Sequence, residues 1–392
     1  MSNKNSINIS KYMFVYKGIE NSIPLNYKID SRIFSKLLDD KVIVASYKMY
    51  WLLGILDEVS SEKEEIEFKK IVARMISYAW YPILQFKLSY GHSDNLYKVI
   101  NYVFCKYEFG VNCDEKNLVE FLYKNNDPEL NKLMRDLTLN VPYRLLSPFF
   151  IDHLRGVKDG AKNNIIADLS LKNDKCLYKI LKGTEDKITL NEGWGQYLKD
   201  NYKIIKLWIY YKLVFFLQKR NLNVPGIAFK LEAPKNRNLV PVSKLWSKVI
   251  VNMGLKDIYT GSEFNEINYE KYGTLSIDHF IPWSFVLHDE IWNLVPTFKN
   301  INSKKNDYLL PFNKYIDSFC DTQYKAFSYM CKNKIDKKLE EYIEVLRLDN
   351  PYDFYKNSSS EVFGMKLKQS ISPLYQIAEN QGFQVMNKLN YL

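Results

Sequence analysis

The sequence predicts a mainly α-helical protein made of more than one domain. Apolar residues recur at the i, i+3, i+4 and i+7 spacing of a helix face through most of the first 220 residues, and again from Phe312 onward. Between these regions, turn-forming residues break the helical period and polar side chains cluster. A chain of 392 residues with 46% hydrophobic content is long enough to bury two or three cores.

Three helices are predicted in the N-terminal region. Residues 46–59 have an apolar face and begin with Ser46 as an N-cap, and residues 67–79 have a second apolar face that Pro82 is expected to end. Residues 203–220 are apolar almost all round, which favours a central buried helix with lysines at its ends. The interleaved lysines and aromatic residues of this last segment also fit a nucleic-acid groove.

The periodicity divides the chain into four parts. Residues 1–220 are expected to form a helical N-terminal domain with a targeting or regulatory role. Residues 221–241 hold three prolines and little periodicity, which is typical of a linker. A second domain is predicted over residues 242–345, opening with a helix that stops at Gly254, and residues 346–392 are expected to be a helical extension.

The formal net charge of +10 and the pI near 9.0 are compatible with a polyanionic partner. The abundance of Lys, Asn, Ile and Tyr is also the bias of an AT-rich genome, so composition alone leaves both explanations open. The five cysteines are scattered and form no CxxC pair, which argues against a disulfide framework or a cysteine zinc site.

No apolar run reaches the roughly 18 residues that span a bilayer, and the first residues lack the pattern of a signal peptide. The expected location is therefore the cytoplasm, without a membrane partner. The glycine- and lysine-containing stretch GVKDGAKNN lacks the spacing and ending of a phosphate-binding loop. Any ATP-driven step, or target recognition, is expected to come from a partner protein.

The tripeptide Ile-Asp-His occurs twice, with Asp152 and His153 in the first copy and Asp278 and His279 in the second. An acidic residue beside an imidazole can be a metal ligand next to a general base, or a polar pair at the edge of a core. Phosphodiester hydrolysis needs a base for water, a cation to offset charge, and a scaffold that fixes both. One Asp-His pair alone is therefore insufficient.

The second copy has the additional polar residues that such a site needs. Asn293 and Asn302 follow Asp278 by 15 and 24 residues, and the same offsets from the first copy reach Ala167 and Cys176. We therefore expect the first copy to be a structural polar pair and the second to carry the chemistry.

Residues 258–311, which include IYTG, DHFIPWSF, WNLVP and NINSKKNDYLLP, resemble an HNH endonuclease module of the ββα-metal fold. The motif spacing is also similar to that of the HNH domain of RNA-guided CRISPR effector nucleases, in which a conformational change permits cleavage. The resemblance implies a ββα-metal module in which DHFIPWSF is the first strand, WNLVP the second, and NINSKKNDYLLP the start of the helix. With this module embedded among the predicted helices, the expected fold class of the chain is mainly α (α+β). It also implies that the 242–345 domain is the nuclease.

The family assigns roles to individual residues of this chain. His279 would be the general base, Asp278 and Asn302 the metal ligands, and Asn293 the residue that braces the loop and keeps the imidazole aimed. Adjacent strand residues point to opposite faces, so the Asp-His pair is expected to need a local twist or bulge. A carboxylate with an amide oxygen is a hard ligand pair that suits Mg²⁺ or Mn²⁺.

Three further side chains near this motif have two interpretations each. Lys304 and Lys305 could contact a phosphate or could be solvated in a first helical turn. His288 is expected on a solvated loop, although it could add a nitrogen ligand if that loop folded inward.

The predicted function is metal-dependent hydrolysis of DNA phosphodiester bonds, with antiphage defence suggested by a softer likeness of the flanking helices to bacterial HNH proteins. Two alternatives stay open: an RNA-cleaving toxin, and a non-catalytic nucleic-acid-binding scaffold.

Overall fold

The computed structural model describes residues 23–39, 43–60, 65–233 and 238–387. The chain forms two compact units. The first comprises Met1–Leu84, Leu88–Leu222 and Lys230–Ala233, and the second Gln85–Lys87, Asn223–Phe229 and Pro234–Leu392. Residues 234–237 of the predicted linker lie outside the described residues. Among the described residues, no helix is both long and apolar enough to cross a membrane.

The first unit is helical, and its helices are α1 Ser31–Ser35, α2 Tyr47–Ser60, α3 Phe68–Leu84, α4 Leu96–Tyr107, α5 Glu115–Lys124, α6 Pro128–Asp136, α7 Val141–Arg144, α8 Ile151–Leu154, α9 Asp159–Lys172, α10 Trp194–Asp200 and α11 Tyr202–Gln218. The predicted pair of packed helices is present as α2 and α3. Helix α3 continues through Pro82 to its last turn, instead of ending before it, and the apolar Ile83 beyond the proline is buried. Helix α11 buries its central residues, as the apolar pattern indicated.

A small antiparallel sheet in this unit was not predicted. It consists of β1 Glu65–Glu67, β2 Tyr178–Leu181 and β3 Lys187–Leu190 in the order β1-β3-β2. Each strand has only three or four residues, and such short strands give too little alternation to be recognised from a single sequence.

The second unit combines helices with a two-stranded sheet. Its helices are α12 Val240–Met253, α13 Glu266–Tyr272, α14 Trp283–Val286, α15 Lys299–Lys305, α16 Phe312–Lys332, α17 Asp336–Leu346, α18 Pro351–Asn357 and α19 Ser360–Asn380, and its strands are β4 Leu275–His279 and β5 Leu294–Phe298. Helix α12 ends at Gly254, whose φ of 59° is the left-handed conformation that favours glycine. The predicted mainly α (α+β) fold is confirmed.

The two strands and the following helix are shifted from the predicted positions. The first strand was predicted over DHFIPWSF, but β4 begins earlier and ends at His279, and α14 follows Pro282. Proline has no N–H for a ladder and fixes φ near −65°, which ends a strand and favours the start of a helix. Strand β5 and helix α15 begin within a few residues of WNLVP and NINSKK.

A shared hydrophobic core holds the sheet against the C-terminal helices. Phe280, just after β4, stacks on Phe319 of α16 with ring centroids 4.1 Å apart. Buried Gln323 of α16 donates to the Leu294 carbonyl of β5 at 2.6 Å. The α17 carboxylate of Glu341 accepts from the Ile291 N–H at 2.5 Å. These contacts fix the segment that leads into β5.

Candidate active site

Strands β4 and β5 pair one to one from Leu275 opposite Phe298 to His279 opposite Leu294. The expected bulge is absent from this ladder. Successive side chains of a regular strand point to opposite faces, so Asp278 and His279 face different surroundings.

Asp278 is buried, with 3% of its surface exposed, and is held by two donors. The Tyr259 hydroxyl donates to its Oδ2. The Lys305 ammonium lies 3.2 Å from Oδ1 and 3.1 Å from Oδ2. Burial, followed by the nearby carboxylate, raises the pKa of Tyr259 well above its ordinary value, so this hydroxyl keeps its proton and remains a donor.

The turn before the sheet places Tyr259 beside this carboxylate. Asp257 Oδ2 accepts from the Thr260 N–H at 2.9 Å and from its hydroxyl at 2.7 Å. The turn closes at Gly261, where φ is 73°. The IYTG signature is therefore a tight turn whose tyrosine points into the site.

Helix α15 brings Asn302 to the same face of β4 as Asp278. Its Nδ2 donates to the Ser276 hydroxyl at 2.8 Å and to the Ile277 carbonyl at 3.0 Å. Ser276 and Asp278 are two residues apart on a strand, so their side chains share a face. Lys305, one turn after Asn302 on α15, reaches Asp278 on that face. Helix α15 thus carries one predicted metal ligand, Asn302, and packs over the other, Asp278.

The imidazole of His279 is largely buried and is held by an acidic residue that the sequence analysis did not identify. His279 Nε2 lies 2.9 Å from Asp289 Oδ1, and the two side chains are 8% and 29% exposed. A carboxylate at Nε2 favours the neutral tautomer with its proton on Nε2, which leaves the lone pair of Nδ1 as the basic position. No motif spacing indicated Asp289, although its place in LHDEIW could have suggested a carboxylate near the base.

Asn293 closes the segment that contains Asp289. Its Oδ1 accepts from the Ile281 N–H at 2.9 Å, and its Nδ2 donates to the Ile281 carbonyl at 2.9 Å. Its own carbonyl accepts from the Phe280 N–H at 2.8 Å. Because Asn293 is fully buried, these bonds are shielded from water and fix both ends of residues 281–293.

The two lysines of α15 differ in their environment. Lys305 is fully buried, and besides Asp278 it donates to the His279 carbonyl at 2.7 Å. This position differs from the exposed helical turn that the sequence suggested, because the ammonium has an internal carboxylate as its partner. Lys304 is exposed on the same helix.

His288 lies on the loop after α14, as expected, but it is half-buried there instead of fully solvated. Its ring packs on Trp292 with centroids 4.9 Å apart, and its Nδ1 is buried with no hydrogen-bond partner among the described residues. Burial is the main cause that lowers its pKa, although the neighbouring Glu290 and Asp289 act in the opposite direction.

The donor set fits a hard divalent cation. Both Nδ2 bonds of Asn302 go to the strand, and no described residue donates to its Oδ1, so this oxygen can face a cation. The carboxylate of Asp278 is already held by Tyr259 and Lys305, so it would bind a cation only by sharing or exchanging these contacts. Among the described residues, no group of three or more His, Cys, Asp or Glu side chains could hold a metal ion. Such a cation would therefore depend on this carboxylate and amide pair.

The first Ile-Asp-His copy belongs to the other unit. Asp152 and His153 lie on the short helix α8, and both are exposed. The Asp152 carboxylate, 91% exposed, lies 4.0 Å from Arg155.

Comparison with known proteins gave one match. The model of the HNH endonuclease family matches residues 257–310, which contain β4, β5, α15 and the side chains of the candidate site in this unit. No curated protein and no solved structure matched the chain. Residues 257–310 are therefore an HNH endonuclease domain, and this match supports nuclease activity in general.

Proposed function

We propose that the HNH domain hydrolyses DNA, with His279 as general base and with Asp278 and Asn302 as the ligands of one Mg²⁺ or Mn²⁺ ion. The observation that carries this proposal is the convergence on β4: α15 brings Asn302 to the face of Asp278, and Asp289 holds the next residue, His279. Nucleases of this family commonly use divalent metals.

His279 would accept a proton from water at Nδ1 while Asp289 stabilises the positive charge that develops on the ring. The resulting hydroxide attacks phosphorus, and the bond to the 3′ oxygen breaks, which leaves a 5′ phosphate. A bound cation would offset the charge on the phosphate and on the leaving oxygen. Asn293 would keep the segment bearing Asp289 in place.

Water as the nucleophile is compatible with DNA as the substrate, because this reaction does not need a 2′-hydroxyl, the group that distinguishes RNA from DNA.

The distribution of charge supports a second contact region for the nucleic acid. Residues 257–310 hold eight acidic and four basic residues, so the HNH domain itself is not cationic. Residues 201–256 hold eleven Lys and Arg residues and a single acidic residue, Glu232. Lys244 and Lys248 of this stretch are exposed on α12, one helical turn apart. We propose that these lysines and Lys304 contact the phosphate backbone.

The test is digestion of end-labelled DNA duplex, DNA single strand and RNA of one sequence, each with Mg²⁺, with Mn²⁺ and with excess EDTA. The expected result is DNA cleavage that needs the metal and leaves 5′ phosphate ends. Cleavage of RNA alone would favour the toxin alternative. Metal-dependent thermal stabilisation without any strand scission would favour the scaffold.

We further propose a role in antiphage defence, by analogy with bacterial HNH proteins. Phage plating on cells that carry the wild type or His279→Ala would test it, with equal plating efficiency as the contradicting result. A partner protein that supplies ATPase activity or target recognition remains a prediction.

A further inference from the structure

The helical first unit contains a large cavity far along the chain from the HNH residues. Its volume is about 890 Å³, and its lining residues fall between Lys36 and Lys162. Val141, Pro148 and Leu154 form part of its apolar wall. Cavities of 300 to 1,000 Å³ with apolar walls and a few polar groups are the usual sites of small ligands.

The charged groups of this cavity are mostly cationic. Five basic side chains line it, and only two acidic ones, Asp39 and Asp159, accompany them. Arg144 donates to Asp159 at 2.8 Å, and Lys162 lies 3.4 Å from the same carboxylate. One carboxylate is thus shared by two cations, so the wall keeps a positive surplus.

Among the cations of the cavity, the charge of Lys48 is the least balanced by its surroundings. It lies in the first turn of α2, where the helix dipole already disfavours a positive charge. It is half-buried and makes no hydrogen bond or ion pair with any residue that the structure describes. Burial lowers the pKa of Lys48 to about 8, and nearby Arg144 acts in the same direction, against the opposing effect of Asp39. An anion beside Lys48 would stabilise its positive charge against the effects of burial, of the helix dipole and of Arg144.

We propose that this cavity binds a small organic anion, with a carboxylate or phosphate head at Lys48 and Arg144 and an apolar body against Val141, Pro148 and Leu154. The site does not depend on the nuclease proposal. The negative head group balances the positive surplus of the cavity wall, and the apolar body covers apolar surface that is otherwise open to water.

The probe for the test is 1-anilino-8-naphthalenesulfonate, an apolar anion whose fluorescence rises on binding, titrated into the full-length protein. We expect saturable binding at one site, at least about tenfold weaker in Lys48→Met, because a charge-assisted contact is lost. Ala45→Trp, which adds bulk to the lining without changing charge, should weaken binding as well. Lys172→Met removes an exposed lysine at the end of α9, outside the lining, and should bind as the wild type does.

Competition identifies the head group. Displacement of the probe by decanoate assigns a carboxylate with an aliphatic body, and displacement by 1-naphthyl phosphate assigns a phosphate ester. If neither displaces it, or if Lys48→Met binds as tightly as the wild type, the proposal is wrong. A second readout needs no variant: a bound ligand should slow reductive methylation of Lys48 but not of Lys172, as measured by mass spectrometry, and equal rates would overturn the proposal.

Discussion

Replacement of Asp289 by asparagine tests whether this residue positions the proposed base. Asp289 Oδ1 lies 2.9 Å from His279 Nε2, and both side chains are partly shielded from water. A hydrogen bond to a charged group contributes about 1.5 to 3 kcal/mol, against about 0.5 to 1.5 kcal/mol for a neutral one. Loss of the Asp289 charge should therefore remove about 1.5 kcal/mol of stabilisation from the positively charged ring in the transition state. This corresponds to a cleavage rate about tenfold lower.

Asp289→Asn should slow cleavage more than the loss of charge alone would, because the new amide can also donate a hydrogen bond to the imidazole. An amide N–H beside Nε2 would move the ring proton to Nδ1 and remove the basic lone pair. We expect kcat/KM for DNA cleavage to fall about 10- to 100-fold, with DNA affinity unchanged.

Single-turnover cleavage of a labelled duplex, with binding measured separately by fluorescence anisotropy, gives both quantities. Asp317→Asn makes the same chemical change at an exposed α16 carboxylate that pairs with Lys368, so it is the matched control. A rate for Asp289→Asn within threefold of the wild type would refute the positioning role.

Three further predictions concern stability and metal binding. Asn293→Ala should lower the free energy of unfolding by about 2 to 4 kcal/mol, because the buried N–H and C=O of Ile281 lose their partners; unchanged denaturant midpoints would contradict this. Lys305→Met should make the metal-free protein less stable and enlarge the melting-temperature rise caused by Mn²⁺, since Asp278 loses its internal cation; a smaller rise would count against Asp278 as a ligand. The pKa of His288 is lowered in the folded state, so its contribution to stability is present above its ordinary pKa and is lost as the pH falls below it. Wild type should therefore lose more stability than His288→Gln between about pH 6.5 and pH 5, and parallel pH profiles would exclude this contribution.

The mainly helical fold was predictable because long helices repeat their apolar residues over several turns. Helices α3 and α12 show this clearly, and Gly254 marked the end of α12 from sequence alone. The three-stranded sheet of the first unit was not predictable, because β1, β2 and β3 are too short to show alternation and β1 is far from the other two along the chain.

The arrangement of the site was predictable in part. The spacing of the polar residues pointed to the segment, and the structure places Asn302 on α15, the helix whose Lys305 also reaches Asp278. The partners of these side chains were not predictable. Asp289 lies in a segment whose path depends on the Asn293 bonds, and the burial of Lys305 depends on how α15 packs on β4.

The central claim is that His279 is the general base of a metal-dependent nuclease site. The most direct test compares purified wild type with His279→Ala on a labelled DNA duplex in Mg²⁺, with cleavage and DNA affinity measured on the same preparations. The account predicts that cleavage disappears in the variant while affinity stays within about twofold, because the imidazole acts on water and not on DNA binding. Undiminished, EDTA-sensitive cleavage by His279→Ala, with contaminating nuclease excluded, would contradict it.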